Sequence, residues 1–223
     1  MYDIVLWDWN GTLLDDCETA LCCVNEMLDE MGESHIDLEK YYSLVDTPII
    51  KFYIGLLRTD KLDFDKISRD YHRAYNKRIH DIGLMQGARE ILEHNRSLGI
   101  TQVIITSAQK SDVQKLVRYY GIEEYFKDII GASDKLAAQK ITRALEYFEE
   151  NKLDRKTAIM VGDTLHDLDT ANALCIECAL ITKGHQGEKI LKNAGCIVIN
   201  SLYELSKIIK GERTEKVIYP KGG

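Results

Sequence analysis

The sequence has 223 residues, of which 45% are hydrophobic and 29% charged, and its formal net charge is −7. This length suits one large domain, or a core domain with a smaller one. The negative charge disfavours nonspecific binding to nucleic acid or to a membrane surface, and no apolar run is long enough to cross a bilayer. We find no signal peptide and expect a cytoplasmic protein with six free thiols; a monomer is the default and a dimer stays open.

The chain begins with a predicted strand that is followed by a carboxylate and a tight turn. Residues 2–7 (YDIVLW) read as the strand, and the next five are Asp8-Trp9-Asn10-Gly11-Thr12. In an open α/β sheet, ligands bind outside the carboxyl ends of the strands. Asp8 and Asn10 are therefore the first candidates for a functional site.

A long helical stretch follows the first turn and contains no convincing strand. The apolar spacing from Cys17 to Met31 predicts an amphipathic helix, which Asp15 or Asp16 is placed to cap. Because this stretch begins beside Asp8, we expect it to lie over the strand ends as a lid. Helical character continues over residues 41–57 and 67–82, with breaks at residues 46–48 and 59–60, and the whole predicted cap domain spans residues 15–83.

Predicted strands and helices alternate through the rest of the chain. The strands are apolar throughout, which is typical of a parallel sheet covered by helices on both faces. We predict an α/β fold with a doubly wound, mostly parallel, Rossmann-like sheet, formed by residues 1–14 and 84–210 and followed by a tail, 211–223. The further strands are predicted at 102–105, 128–130, 157–161, 178–182 and 196–199, and the helices at 88–98, 110–120, 135–150, 167–174, 187–194 and 201–209.

Polar residues follow four of the predicted strands. Because parallel strands end at the same edge of a sheet, we expect these side chains to converge. Crowded carboxylates repel one another unless a cation joins them, and hard oxygen ligands favour Mg²⁺. A lysine, a hydroxyl group and the N–H groups of a turn suit a phosphate group. The residues are Asp8 and Asn10, Thr106 and Ser107, Lys135 and Lys140, and Asp163 and Asp167.

In order and spacing, these motifs resemble the haloacid dehalogenase superfamily of phosphatases, in the group whose helical cap follows the first motif. The resemblance covers nearly the whole chain and is greatest to phosphoglycolate-phosphatase-like members. Asp8–Thr12 resembles the motif D-x-D-G-T, Ile104-Ile105-Thr106 the second motif, Lys140 the third-motif lysine by its distance past Gly131, and Val161–Asp167 the motif G-D-x-x-x-D.

The resemblance implies a Mg²⁺-dependent phosphoric monoester hydrolase that acts on a small phosphorylated metabolite. Asp8 is the implied nucleophile, which forms an aspartyl-phosphate. The implied ligands of Mg²⁺ are the Asp8 carboxylate, the backbone carbonyl of Asn10, Asp163 and, directly or through water, Asp167. The implied phosphate-binding groups are the Thr106 hydroxyl, with Ser107 competing for that role, and the N–H groups of Gly11 and Thr12. Lys140, to which Lys135 is the alternative, is the implied catalytic lysine that offsets the charge of the nucleophile and the phosphate.

Asn10 departs from the superfamily pattern, in which a second Asp protonates the leaving oxygen and later takes a proton from the hydrolytic water. An amide can do neither, and such proton transfer typically contributes about 10²–10⁴ in rate. Three interpretations stay open. In the first, the chain is a phosphatase that acts on compounds with good leaving groups, such as aryl or acyl phosphates. In the second, it is a weakly active or inactive member that binds a phosphate ligand or a partner. The third is a phosphonatase-like hydrolase with a cap lysine, Lys40 or Lys51.

Two histidines stand near the predicted strand ends. His166 lies between Asp163 and Asp167 and is a candidate substitute for the missing acid, although a loop or helix-start role without catalysis is favoured. The turn that contains His185 and Gln186 follows the strand predicted at 178–182, and we interpret it as structural.

Overall fold

We describe a computed structural model of the protein, for residues 1–46, 48–59, 61–132 and 140–211. Within these residues the strands are β1 (Ile4–Trp7), β2 (Thr101–Gln109), β3 (Asp128–Ala132), β4 (Ala158–Gly162), β5 (Glu177–Ile181) and β6 (Ile197–Ile199). They form one six-stranded sheet in the order β3-β2-β1-β4-β5-β6, and all pairs are parallel. The first strand is central and the chain winds outward on both sides, so the predicted doubly wound parallel sheet is confirmed.

Helices cover both faces of this sheet and form the stretch that follows β1. No helix in the described parts of the chain is long and apolar enough to cross a membrane. The helices are α1 (Cys17–Met31), α2 (Leu38–Leu44), α3 (Ile50–Leu57), α4 (Phe64–Asn76), α5 (Ala88–Ser97), α6 (Lys110–Tyr119), α7 (Lys140–Asn151), α8 (Leu165–Leu174), α9 (Glu188–Lys192) and α10 (Leu202–Ile209). We call α1–α4 the cap helices; the proposed domain boundaries stay a prediction.

Alternate residues of β1 serve two separate hydrophobic clusters. Val5 and Trp7 belong to one cluster, and Ile4 and Leu6 belong to the cluster on the opposite face. This alternation follows from the two-residue period of a strand. The cap helices bury a third cluster that includes Val24 of α1. The apolar strands and the amphipathic cap helices thus behave as their sequence patterns predict.

Several predicted element boundaries were wrong. The strand predicted to end at residue 105 continues to Gln109, because its pairing with β3 is interrupted after Ile105 and resumes at Gln109. The helix predicted over 67–82 ends at Asn76 and is followed by turns. The first residues of the helix predicted at 135–150, together with Lys135, lie outside the described residues, as do residues 212–223 of the tail. All six cysteines are free thiols, as expected.

A buried glutamine joins β2 to its neighbours. The Gln102 side chain is 1% exposed, and its Oε1 accepts hydrogen bonds from Trp7 Nε1 at 3.2 Å and Asn95 Nδ2 at 3.0 Å. Its Nε2 donates to the backbone oxygens of Leu92 at 2.9 Å and Tyr125 at 3.3 Å. One side chain therefore makes hydrogen bonds to four polar groups around β2, three of them in buried contacts.

Replacement of this glutamine tests how much the buried network contributes to stability. Gln102→Leu leaves buried polar groups without partners, at about 1–3 kcal/mol each. We expect the free energy of unfolding to fall by at least about 2 kcal/mol in urea denaturation, with smaller changes for Gln86→Leu at an exposed position. Equal stability of the two variants would contradict the structural role of Gln102.

Candidate active site

The register of the central strands brings the predicted polar residues to one edge of the sheet. Trp7, the last residue of β1, pairs with Ile104 of β2 and with Val161 of β4. Asp8 follows β1 directly, and its backbone N–H donates to Val161 O at 2.9 Å. Asp163 follows β4 in the same way. The site residues therefore follow directly after the level at which β1, β2 and β4 are paired side by side.

Three buried carboxylates meet at this edge around one lysine. One oxygen atom from each of Asp8, Asp163 and Asp167 lies within 4.8 Å of the other two. Lys140 begins α7, is 2% exposed, and its Nζ donates hydrogen bonds to Oδ1 of Asp8 and to Oδ1 of Asp167. These four residues, which the sequence placed on three separate segments, thus form one cluster.

The charges of this cluster are not balanced by Lys140 alone. Burial raises the pKa of Asp8 to about 8, against the attraction of Lys140 and with added repulsion from Asp167 and Asp163. Burial also raises the pKa of Asp163 to about 6. A further positive charge would hold all three carboxylates ionised. Buried carboxylate oxygens grouped in this way are the donor set that a hard divalent cation prefers, so the residues present fit such an ion.

Two neighbouring turns hold the Asp163 carboxylate. Its Oδ1 accepts from Thr12 Oγ1 at 3.2 Å, and its Oδ2 accepts from the backbone N–H of His185 at 2.6 Å. Both turns approach closely through glycine: a Cβ atom on Gly11, whose φ is +71°, would lie 2.3 Å from Asp163 Oδ2, and one on Gly184 would lie 2.2 Å from it. Both positions therefore require glycine, because any side chain there would overlap the Asp163 carboxylate.

The two oxygens of the Asp167 carboxylate face different partners. Its Oδ2 accepts from the N–H of Thr164 at 3.0 Å, as part of a capping box at the start of α8, and also from Thr164 Oγ1 at 2.8 Å. Its Oδ1 faces Lys140. Burial would raise the pKa of Asp167, but the attraction and hydrogen bonds of Lys140 and Thr164 hold it below its ordinary value.

The N–H groups of Gly11 and Thr12 make hydrogen bonds within the first turn. The Gly11 N–H donates to Leu14 O at 2.9 Å and to Asp16 Oδ1 at 2.8 Å, and the Thr12 N–H donates to Trp9 O at 3.3 Å. Both N–H groups therefore close the turn. Their acceptors are a residue before the turn, Trp9, and residues after it, Leu14 and Asp16, and the phosphate role of these N–H groups stays a prediction.

The two candidate hydroxyl groups, those of Thr106 and Ser107, differ in burial. Thr106 is buried and its Oγ1 accepts from the N–H of Ala108 at 3.1 Å, whereas Ser107 is exposed. Thr106 is thus the buried hydroxyl at the edge of the sheet.

The two candidate cap lysines are both exposed to solvent. Lys40 is exposed, and Lys51 is 54% exposed and pairs with Asp46. Neither cap lysine is desolvated, so the feature that a Schiff-base amine requires is missing from both.

A second buried polar network adjoins the carboxylate cluster and was not anticipated. Asp16 was predicted as a possible cap for α1 and stands at the N-cap position, yet its side chain makes no capping hydrogen bond. Instead its carboxylate contacts Asn10, Gly11, Tyr75 and His185. Since the partners come from both the cap helices and the sheet edge, only the packing of the two could reveal this network.

His185 links the same network to α2 of the cap helices. Its Nε2 lies 3.1 Å from Asp16 Oδ1 and its Nδ1 lies 2.9 Å from the Tyr41 hydroxyl. Burial alone would lower the pKa of His185, but its contacts with Tyr41 and Asp16 raise that pKa well above its ordinary value. The neighbouring Gln186 donates to Val45 O at 3.2 Å. The turn interpreted as structural from the sequence therefore connects the cap helices to the site.

His166 has a different environment from His185. It is half-buried, and burial followed by repulsion from Lys140 lowers its pKa. Its backbone oxygen accepts from Thr170 Oγ1 at 2.8 Å within α8. These contacts agree with the favoured interpretation of His166 as a residue of the helix start.

Comparison with known proteins agrees with this geometry. The family model for haloacid dehalogenase-like hydrolases matches residues 5–181. A phosphoglycolate phosphatase of Nitrosospira multiformis is 29% identical over 92% of this chain and 95% of its own. A 5'-nucleotidase of Pseudomonas aeruginosa is 22% identical over 86% of this chain and 87% of its own. These relatives confirm the predicted enzyme class, a phosphatase.

Solved structures agree as well. The crystal structure of a predicted phosphatase from Clostridium acetobutylicum superposes with a TM-score of 0.80 and 26% identity, covering 95% of this chain and 99% of that one. A haloacid dehalogenase-like hydrolase from Streptococcus pneumoniae gives a TM-score of 0.79 at 21% identity, with 93% and 98% covered, and shares the fold. From its sequence match and its fold, the chain belongs to the haloacid dehalogenase-like hydrolase family.

Proposed function

We propose that the protein is a Mg²⁺-dependent phosphatase that hydrolyses a small phosphorylated metabolite through an aspartyl-phosphate on Asp8, with a cytoplasmic location. The observation that carries this proposal is the buried cluster of Asp8, Lys140, Asp163 and Asp167 at one edge of the sheet. Relatives named as phosphatases of different substrates support the reaction class and leave the metabolite open.

In the proposed reaction Asp8 is the nucleophile. One of its carboxylate oxygens forms a bond to phosphorus while the bond from phosphorus to the leaving oxygen breaks. Water then attacks phosphorus, the bond from phosphorus to the Asp8 oxygen breaks, and the protons of the water leave with the inorganic phosphate, which restores the Asp8 carboxylate. Lys140 offsets the negative charge of Asp8 throughout, and the Thr106 hydroxyl is proposed to bind a phosphoryl oxygen.

The metal site is proposed at the same carboxylates. Asp8 and Asp163, together with the backbone carbonyl of Asn10, would hold Mg²⁺, with Asp167 contacting it directly or through water. When bound, the ion stabilises the negative charge of the transferring phosphoryl group. Asp163 is oriented for this role by Thr12 and by the His185 N–H, and Asp167 by Thr164.

The Asn10 side chain narrows the proposed substrates. Its amide cannot protonate a leaving oxygen, and the half-buried His166 has its pKa lowered by burial. Leaving groups that depart as stable anions, such as those of acyl or aryl phosphates, need no such proton. The phosphonatase-like alternative loses support because Lys40 and Lys51 are exposed.

The nucleophile is tested by Asp8→Asn. Hydrolysis of para-nitrophenyl phosphate by the wild type should require Mg²⁺ and stop on addition of EDTA. We expect Asp8→Asn to lower kcat by at least about 10³-fold, because the loss of one essential residue removes most of the activity of a catalytic unit. Asp169→Asn, at an exposed carboxylate on α8, should retain wild-type activity. Equal hydrolysis by Asp8→Asn and the wild type would refute Asp8 as the nucleophile, whereas a wild type that is as inactive as Asp8→Asn would favour a binding protein.

The dependence on the leaving group is tested with a series of substrates. We expect kcat/KM of the wild type for para-nitrophenyl phosphate to exceed that for simple alkyl phosphates by about 10²-fold or more, because the contribution of an acid is missing. Values of kcat/KM across aryl phosphates should fall steeply as the pKa of the phenol rises. A flat series would show that another residue supplies the proton.

The charge balance of the site is tested by Lys140→Met in the metal-free protein. Removing one partner from a buried ion pair leaves uncompensated charge, typically at about 3–5 kcal/mol. We expect the free energy of unfolding to fall by that amount in urea. Lys115→Met removes an exposed lysine paired with Asp112, both more than half exposed, and should change stability by about 1 kcal/mol or less. A similar small effect at Lys140 would refute its proposed role.

A further inference from the structure

The carboxylate of Asp16 is buried and fully occupied by hydrogen-bond donors. Its exposure is 1%. Oδ1 accepts from the Gly11 N–H at 2.8 Å and faces His185 Nε2 at 3.1 Å. Oδ2 accepts from the Tyr75 hydroxyl at 2.6 Å and from Asn10 Nδ2 at 2.7 Å. Three donors therefore point at the carboxylate, with the His185 ring as a fourth polar neighbour, and this arrangement stabilises the ionised form.

These contacts determine which way the Asn10 amide faces. An ionised carboxylate can only accept hydrogen bonds, so the atom of Asn10 beside Asp16 must be the NH₂ nitrogen. That nitrogen also donates to the Tyr75 hydroxyl at 3.1 Å, so both of its hydrogen-bond acceptors belong to the Asp16 network. The polar atom of the amide that is left for a substrate or for water is the carbonyl oxygen, and this atom can only accept.

The same contacts make a second carboxylate unfavourable at residue 10. Asn10 Nδ2 and Asp16 Oδ2 are 2.7 Å apart. Asn10→Asp would place a carboxylate oxygen at that distance from a carboxylate oxygen, with no donor between them. The amide at residue 10 is therefore the partner that the charge of Asp16 requires.

We propose that Asp16 is a positioning residue that sets leaving-group specificity by holding Asn10 as a hydrogen-bond acceptor. Asn10 then cannot donate to the leaving oxygen, and the site accepts phosphate compounds whose leaving group departs as a stable anion, the class of acyl, enol and aryl phosphates. This inference rests on the proposed phosphatase function. The geometry that carries it, however, is the hydrogen-bonded pair of Asn10 and Asp16, which can be tested without turnover.

The test exchanges the amide and the carboxylate. Four proteins are compared: wild type, Asn10→Asp, Asp16→Asn and the double variant. Asn10→Asp alone should lower Tm and should not improve hydrolysis of alkyl phosphates. The double variant should recover at least half of that loss in Tm. It should also raise kcat/KM for alkyl phosphates at least about tenfold above wild type, since residue 10 then carries an acid beside a neutral amide.

A matched control uses the neighbouring carboxylate. Asp15 is exposed, and Asp15→Asn combined with Asn10→Asp should recover neither Tm nor alkyl activity. If this pair recovers as much as the exchange, a general change in charge is responsible and Asp16 has no special role. If Asn10→Asp alone gains alkyl activity equal to that of the double variant, the inference is also overturned.

A readout independent of catalysis separates this inference from the proposed function. In ¹⁵N-labelled protein, the Asn10 amide proton that bonds Asp16 should resonate downfield, and Asp16→Asn should abolish that shift. Tyr75→Phe keeps the Asp16 charge and should move the other amide proton. If no variant hydrolyses any phosphate, the proposed function fails while these shifts and the coupling in Tm still decide the role of Asp16. Unchanged shifts in both variants would refute it.

Discussion

The buried contact of Lys140 with Asp8 and Asp167 is the interaction on which the site depends. Three carboxylates within 4.8 Å of one another, away from water, repel strongly. One lysine offsets part of this charge, and burial still raises the pKa of Asp8 to about 8. The site is thus short of positive charge, and three buried carboxylates around one lysine are the kind of donor set that a hard divalent cation prefers.

The parallel sheet supplies the rest of this arrangement. Adjacent strands end at one level, so residues far apart in sequence meet without long connecting loops. The close approach is completed by Gly11 and Gly184, because a Cβ atom at either position would overlap the Asp163 carboxylate. Thr12 and the His185 N–H then fix both oxygens of Asp163. Backbone geometry therefore orients the carboxylates before any ligand arrives.

The sequence predicted what depends on local pattern. Asp8, Lys140, Asp163 and Asp167 were predicted because each stands at the end of a strand or at a recognisable spacing, and parallel topology brings such residues together. Asp16 could be predicted only as a helix cap, because local sequence shows nothing else. Its partners Tyr75 and His185 are 59 and 169 residues away. Those contacts depend on how the cap helices pack against the sheet, which no local spacing encodes.

The Asp16 contacts also change the meaning of the departure at Asn10. From the motif alone, an amide in place of a carboxylate indicates a lost acid. In the structure, a carboxylate stands six residues later, at Asp16, and its negative charge is stabilised by Tyr75, His185 and the Gly11 N–H. An amide at residue 10 is compatible with that charge, and a carboxylate is not. Asn10 is therefore one half of a pair, and its chemistry follows from Asp16, a residue outside the motif.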